Sequence, residues 1–310
     1  MKHNEDTRVK IPAILHLTRL GYEYLSLNNA NWDEETNIFP EIFQESLRRI
    51  NPEIDTSQIS RVFEDIKLGL DNEDLGKAFY ESLVERSGLK LIDFENFDNN
   101  SFHVVTELTC KNGDDEFRPD ITLLINGMPL VFIEVKKPNN KDGIIAEHRR
   151  IEQRFQNPKF RRFINITQIM VFSNNMEYDD ASLSPIEGAF YASASYKKPT
   201  FNYFREEENL DMSALLSNFD DDIENQVLKD NNLNVIKHNP EFATNKDPET
   251  PTNRICSSLF CRERLSFLLQ YGIAYVTETD GLEKLRHQSN RKRIRKRHTK
   301  RYYLAHARQW

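Results

Sequence analysis

The stretch "RPDITLLINGMPLVFIEVKKPNNKDG", residues 118–143, decides the reading of this chain. It reads as two strands joined by a tight turn, with Asp120, Glu134 and Lys136 set in or beside apolar segments. Charged side chains are almost never fully buried unless they are paired or bound to a metal. Leu123, Leu124, Ile125, Leu130, Val131, Phe132 and Ile133 make nearly continuous apolar sequence, and such strands are covered on both faces. The plainer alternative is an exposed hairpin carrying a solvated Glu–Lys pair, which is worth little in stability. The apolar run disfavours it.

Glu134 and Lys136 are two residues apart, so on a strand they share one face while Ile133 and Val135 take the other. Whether Asp120 joins them depends on the turn. A strict two-residue Asn126-Gly127 turn pairs Ile125 with Met128, and so Asp120 with Ile133, on the wrong face. A three-residue loop, Asn126 to Met128, pairs Ile125 with Pro129 and Asp120 with Glu134. That loop is common in hairpins, with Gly127 supplying a positive φ, and Pro129 suits a first strand position. The expectation is the three-residue loop.

Two carboxylates and an ammonium converging at a strand end suit Mg²⁺, which takes one or two protein carboxylates and keeps its other positions for water and substrate phosphate. Asp120 and Glu134 are the expected ligands, with the backbone carbonyl of Val135 as a further donor. A cation so held acidifies water and neutralises charge on a phosphate. Lys136 orients the attacking water or stabilises the transition state as a point charge. The expected reaction class is metal-assisted phosphodiester hydrolysis.

Around this stretch the chain reads as α/β with a mixed central sheet. Helical spacing runs over 7–20 with Gly21 as a stop, over about 40–50, and from a serine cap at Ser57. A further helix is expected over "NEDLGKAFYESLVERSG", ended by Gly88. Strands follow near 101–109, 119–125 and 130–136, then a charged helix over about 144–156. "ITQIMVFSN" reads as a buried strand. Residues 205–230 are acidic and helical in pattern. Residues 237–253 hold three prolines and read as a linker, followed by one helix over 254–271. This order excludes a doubly wound parallel sheet.

Composition sets outer bounds. The 310 residues are 38% hydrophobic and 29% charged, no apolar run approaches a membrane span, and the polar N-terminus shows no signal peptide. Cys110, Cys256 and Cys261 read as ordinary buried thiols of a reducing compartment, so a cytoplasmic protein is expected. The net charge of −7 is uneven. Lys284 to Trp310 carries eleven Lys or Arg and no acid, leaving residues 1–283 with 31 basic against 49 acidic side chains. Such an acidic body is a poor nonspecific DNA binder.

The run from Arg118 to Lys137 resembles the PD-(D/E)xK nuclease signature, with Asp120, thirteen intervening residues, Glu134 and Lys136. Its Asn-Gly-hydrophobic-Pro-Leu hairpin resembles the N-terminal nuclease domain of the restriction (R) subunit of Type I restriction enzymes. "HLTRLGYEYLS" is similar to that domain's opening helix, "FSNN" to the strand after its site, and "TPTNRICSSLFCRERLSFLLQYGIAYV" to the run leading to its motor. The resemblance implies a PD-(D/E)xK restriction-endonuclease-like core with a helical N-terminal part. It implies Asp120 and Glu134 as metal ligands, Lys136 as the catalytic lysine, and a Mg²⁺-dependent deoxyribonuclease.

It further implies double-stranded DNA as substrate, with modification (M) and specificity (S) subunits as partners. Many members carry Gln-x-x-x-Tyr on the next helix. Here Gln153 has no tyrosine four residues later, so Gln153, or Arg150 with Glu147, stands in its place. Family nucleases also use an acid on an early helix, for which Glu5, Glu81 and Glu85 are candidates.

The resemblance divides the chain into a nuclease domain over 1–236, the linker over 237–253, and the start of a connection to an ATP-dependent motor over 254–283. No G-x-x-x-x-G-K-[ST] loop occurs in the 310 residues, so ATP is expected only in the full-length subunit. The basic stretch 284–310 reads as a solvated tail, as a phosphate grip with Tyr302, Tyr303 and Trp310 stacking on bases, or as out-of-frame sequence. The last is favoured, because similarity stops near Glu283. A stand-alone repair nuclease with the same core is the nearest rival, and a silent assembly or DNA-binding module the more distant one.

Overall fold

A computed structural model of the chain describes residues 4–138, 141–177, 189–193, 200–204, 210–278 and 281–286. A π-helical turn (Asp6–Lys10) runs into α1 (Ile11–Arg19). Strand β1 (Glu23–Tyr24) and helices α2 (Pro40–Ile50), α3 (Thr56–Gly69) and α4 (Lys77–Leu83) follow. Then come β2 (Phe102–Thr106), β3 (Cys110–Asn112), β4 (Asp115–Phe117), β5 (Ile121–Ile125) and β6 (Met128–Val135). Helices α5 (Lys141–Gln156) and α6 (Arg161–Ile166) lead to β7 (Ile169–Ser173), β8 (Ala189–Ser193) and β9 (Thr200–Tyr203). The remainder is α7 (Met212–Leu215), α8 (Asp221–Asp230), α9 (Pro240–Asn245), α10 (Pro251–Phe260), α11 (Arg262–Tyr271) and a hairpin of β10 (Ile273–Glu278) and β11 (Gly281–Arg286).

Seven strands form one mixed sheet in the order β1-β2-β5-β6-β7-β8-β9. The β1–β2 and β6–β7 pairs are parallel and the other neighbours antiparallel. This is the expected α/β core, and β5 and β6 lie near its centre. Both strands are buried along their whole length. Val131, Ile133 and Val135 face a core shared with Ile14 and Leu17 of α1 and Phe260 of α10. Phe132 faces the other way, packing with Phe172, Phe190 and Phe163 and with Ile151 and Phe155 of α5. Glu134 has the parity of Phe132, so its side chain projects under α5.

The turn between β5 and β6 corrects the expectation in one respect. Ile125 pairs with Met128 and Leu124 with Pro129, so the connection is the two-residue Asn126-Gly127 turn. Asn126 (φ 51) and Gly127 (φ 77) are both left-handed, the combination that a type I′ hairpin turn requires. The register then shifts between Leu123 and Leu124, because Leu123 pairs with Val131 and Leu130 is left over as a bulge. Beyond it Ile121 pairs with Ile133. One further step places Asp120 opposite Glu134. The expected juxtaposition is present, produced by a bulge rather than a longer loop.

The segment 237–253 is not a linker. Asn239 caps α9 by accepting from the Glu241 N–H at 2.9 Å, Phe242 is buried in the main core, and Arg8 pairs with Glu241. Pro240 and Pro251 each open a helix, the one helical position where a missing N–H costs nothing. The final helix is broken into α10 and α11 at Cys261, whose ψ of 148 is extended. The cap of α3 is Asp55 rather than Ser57, in a capping box with Gln58. Helix α4 ends at Leu83, short of Gly88. The acidic stretch is helical in α7 and α8, while 205–209 lie outside the described residues. Lys284 to Arg286 belong to β11, and the rest of the basic stretch, 287–310, lies outside the described residues. Among the described residues no helix is long and apolar enough to cross a membrane.

Candidate active site

Lys136 stands just past β6, tied to β7 by its N–H donating to the Ser173 carbonyl at 2.8 Å. Its Nζ is the point on which the surrounding oxygens converge. It lies 3.2 Å from Glu134 Oε1, 3.8 Å from Asp120 Oδ2 and 3.5 Å from Glu5 Oε1. It also lies 3.8 Å from Glu147 Oε1 and donates to the Val135 carbonyl at 2.9 Å. Asp120 is fixed from the neighbouring strand, its Oδ2 accepting from the Val135 N–H at 2.9 Å.

Glu147 belongs to α5. With Ile151 and Phe155 at helical spacing it forms the inward face of that helix, and all three are buried. Arg150, one turn on, pairs with Glu147 from a half-exposed position. Gln153 is exposed and off this face. Of the early acids, Glu5 reaches the cluster. Glu81 pairs with Lys77, and Glu85 accepts from Ser87, both from exposed positions. Glu107, whose N–H donates to the Asp120 carbonyl at 3.3 Å, and Lys10, which pairs with Glu107, carry no sequence motif.

Four carboxylates about one ammonium leave an excess of negative charge, most of it out of water. Burial pushes Asp120 up to about 6, against the pull of Lys136 and the Val135 N–H. Burial, and then the charge of Asp120, pushes Glu134 up to about 7. For Lys136, burial lowers the pKa, but Glu134, Asp120, Glu5 and Glu147 outweigh it and the net shift is upward. Glu134 Oε2 and Glu147 Oε2 are buried without a hydrogen-bond partner. An orphaned, buried carboxylate oxygen is costly unless something satisfies it.

The donor set therefore fits a hard divalent cation, with Asp120, Glu134 and the Val135 carbonyl as the residues to hold it. Among the described residues no three His, Cys, Asp or Glu side chains form a ready-made metal cage.

Residues 2–179 match the family described as Type I restriction enzyme R protein N terminus. The chain belongs to this family. The chain is similar to the putative type I restriction enzyme MjaIXP endonuclease subunit of Methanocaldococcus jannaschii. The two are 29% identical over 202 residues, covering 57% of this chain and 19% of the relative. It is also similar to the type I restriction enzyme HindI endonuclease subunit of Haemophilus influenzae, at 28% over 154 residues, covering 41% of this chain and 14% of the relative. A third relative, the putative MjaVIIP endonuclease subunit of M. jannaschii, is 40% identical over 83 residues, covering 26% of this chain and 8% of the relative. The chain spans less than a fifth of the length of each of these curated relatives.

In this family member the raised carboxylates set a pH dependence of stability. The unfolded values are about 4 and the folded values lie above them. The native state thus binds more protons than the unfolded chain between about pH 4 and 7, and stability is lost as pH rises through that window. The Asp120→Asn/Glu134→Gln double variant should lose this slope. Urea unfolding at pH 5 and pH 8 reads it, and an unchanged pH dependence in the variant would refute it. At pH 8, added Mg²⁺ should stabilise the parent chain by mass action and leave the double variant unaffected.

Proposed function

We propose that this chain is the DNA endonuclease module of a Type I restriction R subunit, hydrolysing phosphodiester bonds of double-stranded DNA with Mg²⁺. The observation that carries the reading is the bulged β5–β6 register, which sets Asp120 opposite Glu134 with Lys136 beside them and a buried Glu134 oxygen without a partner. Family membership supports the same reading.

Mg²⁺ held by Asp120, Glu134 and the Val135 carbonyl would acidify water and offset charge on the scissile phosphate. The chain's own groups supply the rest. Lys136 presents a partly buried, fixed ammonium to the charge that develops on phosphate, where a preorganised donor is worth most. Glu147 and Glu5 flank that ammonium and hold it in place. Arg118 and Arg150, with half or more of their side chains exposed, stand near the site as cations for the DNA backbone. They are local patches on an acidic body, so affinity for DNA should be weak and salt-sensitive.

Sequence recognition and translocation belong, in this reading, to M and S subunits and to a motor outside this chain, with ATP bound there. The purified chain should therefore cut supercoiled plasmid without sequence preference, slowly and at protein excess, and should show no DNA-stimulated ATPase. Plasmid relaxation and phosphate release measure the two, and ATP turnover by the chain would refute the division of labour.

A further inference from the structure

The N-terminal turn departs from ordinary helix where it meets the site. Asp6–Lys10 is π-helical before the chain settles into α1. Such turns are rare and occur often at functional sites. Its last residue, Lys10, is a buried lysine, 4% exposed. Lys10 Nζ lies 2.5 Å from Asp6 Oδ1 and 2.7 Å from Glu107 Oε1. Burying a lysine is costly, and its partners Asp6 and Glu107 keep 38% and 46% of their side chains exposed, so its position calls for another account.

Glu107 supplies it. This residue stands just past β2, where the chain leaves the sheet for the β3–β4 hairpin and returns at Asp120. Its φ is +52, a left-handed conformation that an L residue with a long side chain adopts only when its surroundings impose it. In that conformation its N–H donates to the Asp120 carbonyl at 3.3 Å. The same turn also reaches the other strand, because Glu5 Oε2 accepts from the Lys137 N–H at 3.3 Å while Oε1 faces Lys136. The turn thus holds the backbones on both sides of the site.

We propose that Lys10 is a positioning residue for DNA cleavage: its ammonium clamps Glu107 in the left-handed conformation and so fixes the backbone of Asp120 opposite Glu134. This rests on the nuclease reading of the site. It assigns work to a lysine that makes no ion pair with Asp120 or Glu134 and pairs instead with Asp6 and Glu107.

The test compares the parent chain with Lys10→Met, Lys10→Arg and Glu107→Gln. The last keeps the shape of the clamp and leaves Lys10 paired with Asp6, so it should fold even if Lys10→Met does not. Two quantities are read: amide hydrogen exchange at Glu107, and single-turnover plasmid cleavage as a function of Mn²⁺. Lys10→Met and Glu107→Gln should each exchange the backbone amide at position 107 at least about tenfold faster, cut at least about tenfold more slowly, and need more Mn²⁺ for half-maximal rate. Lys10→Arg, which keeps the charge, should stay within about threefold of the parent on each measure. Unchanged exchange at Glu107, or parental cleavage with parental Mn²⁺ dependence in Glu107→Gln, overturns the proposal. A parent chain that neither cuts nor binds Mn²⁺ would instead refute the nuclease reading, and the exchange result would still decide the clamp.

Discussion

Lys136→Ala should abolish measurable cleavage, a loss of at least about 10²–10³-fold by comparison with removal of a single fixed donor from other active sites. The same substitution should also unsettle the fold. Lys136 is the shared cation for Glu134, Asp120, Glu5 and Glu147. Taking one partner from a buried ionic cluster costs about 3–5 kcal/mol. The sign follows from the carboxylates. Without Lys136 the folded values of Asp120 and Glu134 rise further above their unfolded ones, so the penalty is largest above those values and is relieved as pH falls and they protonate. Urea unfolding should accordingly show a large loss at pH 8 and a small one at pH 5. An equal loss at both would mean that Lys136 acts through packing, and retained cleavage would remove it from the chemistry.

Gly127→Ala should destabilise the chain by about 2–5 kcal/mol, combining the left-handed penalty with overpacking. Gly127 has φ +77, and a Cβ there would lie 2.7 Å from the Phe39 carbonyl oxygen and 2.9 Å from the Phe43 nitrogen at the start of α2. Neither backbone atom can move without shifting the helix. Its partner Asn126 is equally committed. The Asn126 side chain accepts from the Ser101 N–H at 2.8 Å and donates to the Leu91 carbonyl at 2.8 Å and to Asn100 Oδ1 at 2.7 Å. The turn is locked on both residues, so it cannot open into a longer loop without losing these bonds. Chemical denaturation reads the effect, and a cost below about 1 kcal/mol would mean that the turn relaxes freely and does not set the register.

The convergence of Glu134 and Lys136 was legible in the sequence because it rests on strand parity. Glu134 and Lys136 share a face whatever the turn does, and the apolar run around them requires burial. The turn itself is two residues long, against the three expected. Asn-Gly is the signal for a two-residue turn, and the requirement that Asp120 face Glu134 argued against it. The resolution was present as Pro129, since a proline inside a central strand belongs at a bulge, and the bulge at Leu130 adjoins it.

The prolines of 240–251 show the same ambiguity. They break helices in their interior and begin them at the first turn, and the Asn239 cap and the burial of Phe242 decide between the two. On α5, Glu147 and not Gln153 lies on the buried face, which the spacing of Ile151 and Phe155 already indicates. The clamp of Lys10 on Glu107 left no such trace. It joins residues 97 positions apart through a backbone conformation that no local pattern encodes.

The most direct test of the central claim is cleavage of supercoiled plasmid by excess purified chain in Mg²⁺, set against the Asp120→Asn variant. The account predicts slow, sequence-independent nicking by the parent chain, none without the cation, and none by Asp120→Asn. Equal nicking by the two proteins, or nicking that persists in chelator, would contradict it.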